Sequence, residues 1–254
     1  MEIDITKAKE QFKKYVKSYD IKDDKIKLKI EHIERVSEIA RRIANNLNLN
    51  EEEINLAELI GLLHDIGRFE QIRLYNTFMD KDSIDHGEFG VKLLFEDKLI
   101  RNFIKTDKYD QIIKTAILNH NKPYIAKGLN EEEILHSKII RDADKTDIFA
   151  ILVSDSKKTI WGKDDLSKEK ISDEIYKQFI EKDRIDYKNI KTPADMLCCH
   201  FKYIYDLNFK ITKNIISENQ YIDKLYNRFT FEDEETMKRY NDIYRLTKEY
   251  INKK

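Results

Sequence analysis

Glycine and proline, which interrupt helices and form tight turns, are scarce in this chain, with 6 Gly and 2 Pro among 254 residues. A β-sandwich or β-barrel needs many such turns, and we find no segment with a convincing alternation of apolar and polar residues. Glu, Lys, Leu and Ile are abundant instead, and with so few breakers they favour long helices. The sequence therefore predicts an all-α fold.

The clearest predicted helix covers residues 26–47, where apolar side chains recur every three or four positions. A second helix follows Asn50, which can cap its first turn while Glu53 reaches back in a capping box. Its apolar positions continue to Leu63, and we expect Gly67 to terminate it. This pair of amphipathic helices is predicted to begin a helical bundle.

The rest of the chain is predicted to be helical with two irregular segments. Residues 1–150 are expected to form the main domain, and residues 151–254 a helical C-terminal extension packed on it. We expect a loop over 68–82 and irregular structure over 151–192, with one short helix around 168–182. Further helices are predicted from near Ser83, over 109–121, from Asn130 onward, over 193–218 and over 233–252.

Charge and composition argue against several classes of protein. The formal net charge is −1, so there is no overall basic field to coat DNA or RNA, and we expect no general nucleic-acid partner. The longest apolar stretch, IFAILV, is far shorter than the roughly 20 residues that a membrane helix needs. Cys198 and Cys199 are adjacent and are expected to be buried rather than cross-linked. The charged N-terminus does not resemble a signal peptide, so we expect a cytoplasmic protein.

A His–Asp pair, His64 and Asp65, ends an apolar run in the segment GLLHDIGRFE. A buried carboxylate is costly unless it is paired or bound to a cation. A second pair of acids, Asp142 and Asp144, lies among apolar residues in KIIRDADKTDIFA. A divalent metal would explain several inward-facing acids and imidazoles, and a donor set without thiolate suits Mn, Fe, Co, Ni, Zn or Mg.

The order of these residues along the chain resembles the HD-domain metal-dependent phosphohydrolase superfamily. The shared pattern is an early His, an HD pair at the end of an apolar helix, two further His and an Asp in DADK. It covers about residues 26–150 and consists of His32, His64, Asp65, His86, His120 and Asp144. The resemblance implies an all-helical HD-domain bundle with metal bound inside it.

The resemblance also implies which residues bind metal. The early His, the HD pair and the last Asp would bind the first ion, and here these are His32, His64, Asp65 and Asp144. Members with two additional histidines often hold a second ion, and here these are His86 and His120, with Asp65 bridging. In members with one ion the same two histidines can contact the phosphate instead. We expect two divalent ions.

Three residues are expected to take part in catalysis. Asp65 would hold the ions, and Arg68 is placed to meet phosphate oxygens. Superfamily members commonly carry Lys at the position of Arg68, and Arg keeps the charge while adding a planar fork. An ion pair with Glu70 is the alternative for Arg68. Lys145 is a second candidate for phosphate binding. The alternatives for it are salt bridges to Asp142 or Asp147.

Several other polar and aromatic residues are weaker candidates. His136 precedes Asp144 by eight residues on one helix, about 12 Å along the axis, so the two cannot share an ion. His200 lies outside the motif order and is expected to be structural. Asp85 could support the neighbouring His or simply begin a helix. The aromatic segment RLYNTF, 73–78, could flank a base or pack as a loop. Weaker candidates of the same kind are Tyr124 and Trp161.

The resemblance implies a function. It predicts hydrolysis of a phosphate ester of a nucleotide or a related small molecule by a metal-activated hydroxide. One alternative is a non-catalytic nucleotide-sensing module with the same fold, although the intact ligand set argues against it. A di-iron oxygenase built on the same metal cage is another alternative, and redox-active iron would distinguish it.

Overall fold

The computed structural model describes residues 2–181 and 184–253. These residues contain no strand, so the all-α prediction is confirmed. Short 3₁₀ turns lie at Asp80–Asp82, Tyr187–Asn189 and Tyr203–Asp206, and a π-helical turn lies at Lys92–Glu96. The α-helices are α1 Ile5–Val16, α2 Asp24–Asn46, α3 Glu51–Leu63, α4 Gly67–Tyr75, α5 His86–Val91, α6 Ile100–Phe103, α7 Asp110–His120, α8 Glu131–Ser154, α9 Lys157–Trp161, α10 Asp173–Glu181, α11 Pro193–Lys202, α12 Lys210–Glu218, α13 Tyr221–Tyr226 and α14 Glu234–Asn252.

The chain divides into two compact units, residues 1–147 and 148–254, and the division falls inside α8. The assignment of 151–254 to an extension packed on the main domain stays a prediction. No helix among the described residues is both long enough and apolar enough to cross a membrane.

The first unit is organised around the contact between α2 and α3. Asn50 and Glu53 form the predicted capping box at the start of α3. Every residue from Ile54 to the end of α3 is buried. Gly61 permits the close approach, because a Cβ there would lie only 2.7 Å from the Cα of Ser37 on α2. This packing brings the imidazole of His32, the histidine on α2, beside the C-terminal end of α3.

The prediction that Gly67 terminates a helix is wrong. The helix α3 already ends at Leu63, and α4 begins at Gly67, so residues 68–75 are helical rather than part of a loop. Gly67 lies at a close contact instead, where a Cβ would be 2.4 Å from the carbonyl oxygen of His86 and 2.7 Å from the nitrogen of Gly90. The helix that Gly67 begins ends at Tyr75, and the next residue, Asn76, has a left-handed φ of 53°.

The second unit has its own apolar core and differs in detail from the prediction. The core includes Phe149, Trp161, Phe179, Phe201 and Tyr240. In the predicted irregular segment 151–192, α10 agrees with the short helix predicted around 168–182, whereas α9 was not predicted. The single helix predicted over 193–218 is two helices, α11 and α12. Neither Gly nor Pro marks the break between them, so the sequence carried no signal for it. The adjacent cysteines are buried and free, as predicted.

Candidate metal centre

Six predicted ligand residues converge in the first unit. Five of them are 5 % exposed or less, and the side chain of Asp144 is 15 % exposed. They come from separate elements, namely α2, the turn after α3, the first residue of α5, the last residue of α7 and the middle of α8. We refer to these residues as the His/Asp cluster, which consists of His32, His64, Asp65, His86, His120 and Asp144.

The first part of the cluster joins α2, α8 and the end of α3. Nε2 of His32 lies 3.2 Å from Oδ1 of Asp144, and Nε2 of His64 lies 3.8 Å from the same oxygen. Oδ2 of Asp65 lies 3.7 Å from Nε2 of His32 and 3.8 Å from Nε2 of His64. Two ligand atoms that are each about 2.1 Å from one ion lie about 3.0 to 3.4 Å apart, so this spacing is near that of a divalent-ion site.

The second part of the cluster lies on the other side of the Asp65 carboxylate. Oδ1 of Asp65 lies 3.4 Å from Nε2 of His86 and 3.6 Å from Nε2 of His120. The two imidazole Nε2 atoms are 2.9 Å apart. The carboxylate of Asp65 therefore faces one pair of histidines with each of its oxygens.

The Nδ1 atoms of all four histidines donate hydrogen bonds away from the cluster. Carbonyl and carboxylate oxygens only accept, so each Nδ1 carries the proton and each Nε2 presents its lone pair inward when the imidazole is neutral. Such outer acceptors are typical of metal-binding histidines. The acceptors are Asp147 Oδ2 for His32 (2.7 Å), the Gly61 carbonyl for His64 (2.8 Å), Asp80 Oδ2 for His86 (2.6 Å) and the Ile117 carbonyl for His120 (2.6 Å).

Several inward atoms of the cluster have no hydrogen-bond partner in the described part of the chain. They are Nε2 of His32, Nε2 of His64 and Oδ1 of Asp65. Buried polar atoms without partners are costly, and cations bound in the cluster would satisfy them. The atoms that would bind the metal are imidazole nitrogens and carboxylate oxygens, and this set of ligands fits a divalent transition metal.

The charge states of the cluster also suit a cation. Burial would raise the pKa of Asp65, but the Lys29 ammonium and neighbouring imidazoles outweigh it and hold that pKa well below its usual range. Burial lowers the pKa of His64 to about 3, which keeps this imidazole neutral. Burial and Lys29 lower the pKa of His32, but the carboxylates of Asp144 and Asp147 raise it on balance. A metal ion at Nε2 of His32 would therefore compete with protonation of this imidazole.

The structure contradicts the proposed ion pair between Arg68 and Glu70. Glu70 accepts hydrogen bonds from Arg73 and Tyr19 instead. The guanidinium of Arg68 binds Oδ1 of Asp80 at 2.8 Å and lies 3.3 Å from Nε2 of His86. Arg68 is therefore at the edge of the second part of the cluster.

Lys145 directly follows Asp144 on α8 and is 8 % exposed. One of its alternative partners, Asp147, binds His32 and Nε of Arg35. Lys145 stays a predicted phosphate-binding residue because it lies next to Asp144.

The sequence reasoning missed two supporting acids. Asp147 lies three residues after Asp144 and was considered only as a partner of Lys145. Its spacing was a usable signal, because residues three apart on a helix share a face. Asp80 lies in a short 3₁₀ turn between α4 and α5, and no periodicity marks it.

Replacing Asp80 by alanine is expected to weaken binding of a second ion by about 10- to 100-fold, because His86 would lose the acceptor that fixes its ring. Calorimetric titration with Mn²⁺ would measure this loss. The matched control is Asp82→Ala, which removes an exposed acid from the same turn. Equal Mn²⁺ affinities in the two variants would refute this role of Asp80.

The weaker candidates lie outside the cluster. Asp85 caps α5 by accepting from the nitrogen of Glu88 and pairs with Lys122, which agrees with a helix-start role. Tyr124 is 66 % exposed. His200 and Trp161 are buried in the second unit, where their ring centroids are 5.8 Å apart. Of the aromatic segment 73–78, Phe78 lies near the cluster, and its carbonyl accepts from Arg68.

His136 is 2 % exposed on α8, and burial lowers its pKa to about 4. The unfolded chain takes up this proton near pH 6.5, so stability should fall as the pH drops from 6.5 to 4, by about 3 kcal/mol from this group. In His136→Leu this loss is absent. Urea denaturation of both proteins at pH 7 and pH 4 would measure it. Identical pH dependence in the two proteins would show that His136 is not the group responsible.

Comparison with known proteins gives one match. Residues 30–148 match the family model of the HD domain. No significant match was found among curated proteins or among solved structures. The matched segment contains all six residues of the His/Asp cluster. Residues 30–148 are therefore similar to the HD domain.

Proposed function

We propose that this protein is a divalent-metal-dependent phosphohydrolase that acts on a phosphate ester of a nucleotide or a related small molecule. The observation that carries the proposal is the position of the Asp65 carboxylate. Its Oδ2 faces His32 and His64, and its Oδ1 faces His86 and His120. A carboxylate shared between two sets of donors is what a two-ion centre for phosphate chemistry requires.

Each ligand has a role in this proposal. One ion would be held by the first part of the cluster and a second by the two remaining histidines, with Asp65 available to both. Bound ions of this kind supply Lewis acidity and lower the pKa of a water molecule. The chain fixes the imidazoles through their Nδ1 acceptors. The first ion would bind His32, His64 and Asp144, and the second His86 and His120.

Arg68 and Lys145 are proposed to bind phosphate oxygens. The side chain of Arg68 is 14 % exposed, so a ligand can reach it, and its planar fork can donate two parallel hydrogen bonds to one phosphate group. Lys145 adds a positive charge next to Asp144. These cations would orient an anionic substrate toward the cluster and balance charge that develops on the phosphate.

A substrate panel tests the proposal. The purified protein is stripped of metal and assayed with Mn²⁺, with Mg²⁺ and with chelator. The panel holds nucleoside mono-, di- and triphosphates, cyclic mono- and dinucleotides and an aryl phosphodiester. We expect turnover of at least one compound that needs the added ion and stops with chelator. Full activity in chelator would contradict a metal-dependent mechanism.

The same assay separates the two alternative functions. A sensing module would bind metal and nucleotide without turnover. A di-iron oxygenase would be inactive on the panel and would consume oxygen when loaded with Fe²⁺, whereas a hydrolase works without oxygen. Either result would replace the proposed reaction while leaving the metal centre in place.

A further inference from the structure

Lys29 contacts the His/Asp cluster without belonging to it. It lies on α2, three residues before His32, so both side chains project from the same face. Nζ of Lys29 lies 2.7 Å from Oδ2 of Asp65. No other carboxylate in the described part of the chain lies within 4.0 Å of this ammonium. The side chain of Lys29 is 17 % exposed against 4 % for Asp65, so Lys29 lies between the buried carboxylate and solvent.

The ion pair between Lys29 and Asp65 competes with metal binding. Oδ2 of Asp65 is the oxygen that faces His32 and His64, and therefore the oxygen that the first ion would take. A divalent ion and an ammonium repel each other, and one carboxylate charge cannot neutralise both. With metal bound, the ammonium of Lys29 would lose its carboxylate partner and could pair with another anion near the cluster.

Lys29 and Arg68 lie near different oxygens of the Asp65 carboxylate. Nζ of Lys29 is at Oδ2, while Nε of Arg68 lies 3.6 Å from Oδ1. The ring of Phe78 lies near both cations, with its centroid 5.4 Å from Nζ of Lys29 and 5.8 Å from Cζ of Arg68. Cation–π contacts of this kind help to hold both side chains beside the cluster. Both cations therefore lie within 4 Å of the carboxylate that the two proposed ions would share.

We propose that Lys29 is a phosphate-binding residue, whose ammonium leaves Asp65 when the ions bind and donates to an oxygen of the substrate or product phosphate. This inference rests on the proposed function, because it requires that the cluster bind metal. It adds to that function a third cation, which comes from α2. Inorganic phosphate, the product common to hydrolysis of any phosphate monoester, is the simplest ligand that Lys29 would bind.

The test compares Lys29→Met with Lys27→Met, an exposed lysine two residues earlier on the same helix. Calorimetry measures the Kd of inorganic phosphate for each Mn²⁺-loaded protein, and elemental analysis measures Mn per chain. We expect Lys29→Met to bind phosphate at least about tenfold more weakly, while it holds as much Mn as the wild type. Lys27→Met is expected to match the wild type in both measurements.

A second variant tests whether a loss of phosphate affinity in Lys29→Met comes from misfolding. Lys29→Gln keeps an N–H donor toward Asp65 and removes the charge, so it is expected to fold and to lose phosphate affinity as Lys29→Met does. Lys29→Arg keeps the positive charge, so it is expected to retain part of the phosphate affinity that the other two variants lose.

Each contrary outcome has a distinct meaning. Unchanged phosphate affinity in Lys29→Met and Lys29→Gln, with full Mn content, overturns the inference and leaves the proposed metal centre standing. Loss of Mn together with phosphate also overturns it, because Lys29 would then only position Asp65. A wild type that takes up no Mn overturns the proposed function and the inference with it.

Discussion

Replacing Asp65 by alanine is expected to reduce phosphohydrolase activity at least about a thousandfold. Asp65 is the residue that both parts of the cluster share, so its loss affects both proposed ions at once. Lewis-acid stabilisation of this kind contributes several kcal/mol to a transition state, and about 4 kcal/mol corresponds to a thousandfold change in rate. The substrate found in the panel would be used for the kinetic measurement.

Metal content provides a second measurement for Asp65→Ala, independent of any substrate. We expect fewer Mn ions per chain than in the wild type after loading and desalting. Asp65→Asn keeps the shape of the side chain but lacks the charge, and it is expected to lose activity as well. The matched control is Asp97→Ala, which removes an exposed acid from the same unit. Full activity in Asp65→Ala would refute the ligand assignment.

Folding of Asp65→Ala needs its own check, because the substitution leaves Lys29 without its carboxylate. An ammonium whose ion-pair partner is removed can lower stability when it is partly buried. Thermal unfolding of the metal-free proteins would reveal this effect. Because Lys29 is 17 % exposed, it can turn to solvent, and we expect a modest change in melting temperature.

The acids of the cluster were accessible from the sequence because an Asp at the end of an apolar helix, or an acid within a buried one, conflicts with burial. This conflict pointed to Asp65 and to the pair Asp142 and Asp144, and the resemblance to the HD-domain superfamily then selected Asp144 and the four histidines. The residues that hold the histidines in place carried no such conflict. Asp80 belongs to a polar turn, and the carbonyls of Gly61 and Ile117 belong to the backbone. Only tertiary structure shows that these groups meet the imidazoles.

The presence of helices was also easier to predict from the sequence than the residues at which they begin and end. The capping box at Asn50 is a local device, since the residues that form it lie three apart, and it was predicted correctly. The reading of Gly67 failed because a glycine after an apolar helix has two physical explanations. It can permit a left-handed φ, or it can permit close approach of another backbone. The second applies here, and the approaching backbone comes from α5, about 20 residues later in the chain.

The close contact at Gly67 leads to the second large effect. Replacing Gly67 by alanine is expected to lower the free energy of unfolding by about 3 kcal/mol or more. The new Cβ would lie 2.4 Å from the carbonyl oxygen of His86 and 2.7 Å from the nitrogen of Gly90. Both are backbone atoms, so no side chain can rotate away, and α4 and α5 must separate. Higher helix propensity of alanine offsets only about 1 kcal/mol of this cost.

Gly67→Ala should also affect the metal centre, because the atom that it displaces belongs to a ligand residue. If α5 moves, His86 moves with it, and we expect the variant to retain one Mn ion and lose the second. Gly90→Ala is the matched control from the other side of the same contact. Its Cβ would lie 3.4 Å from the nearest atoms, an ordinary van der Waals distance, so its stability and Mn content should stay near those of the wild type. Urea denaturation and elemental analysis of both variants measure the two effects. If Gly67→Ala were as stable as Gly90→Ala and bound as much Mn, the α4–α5 contact would not be what positions His86.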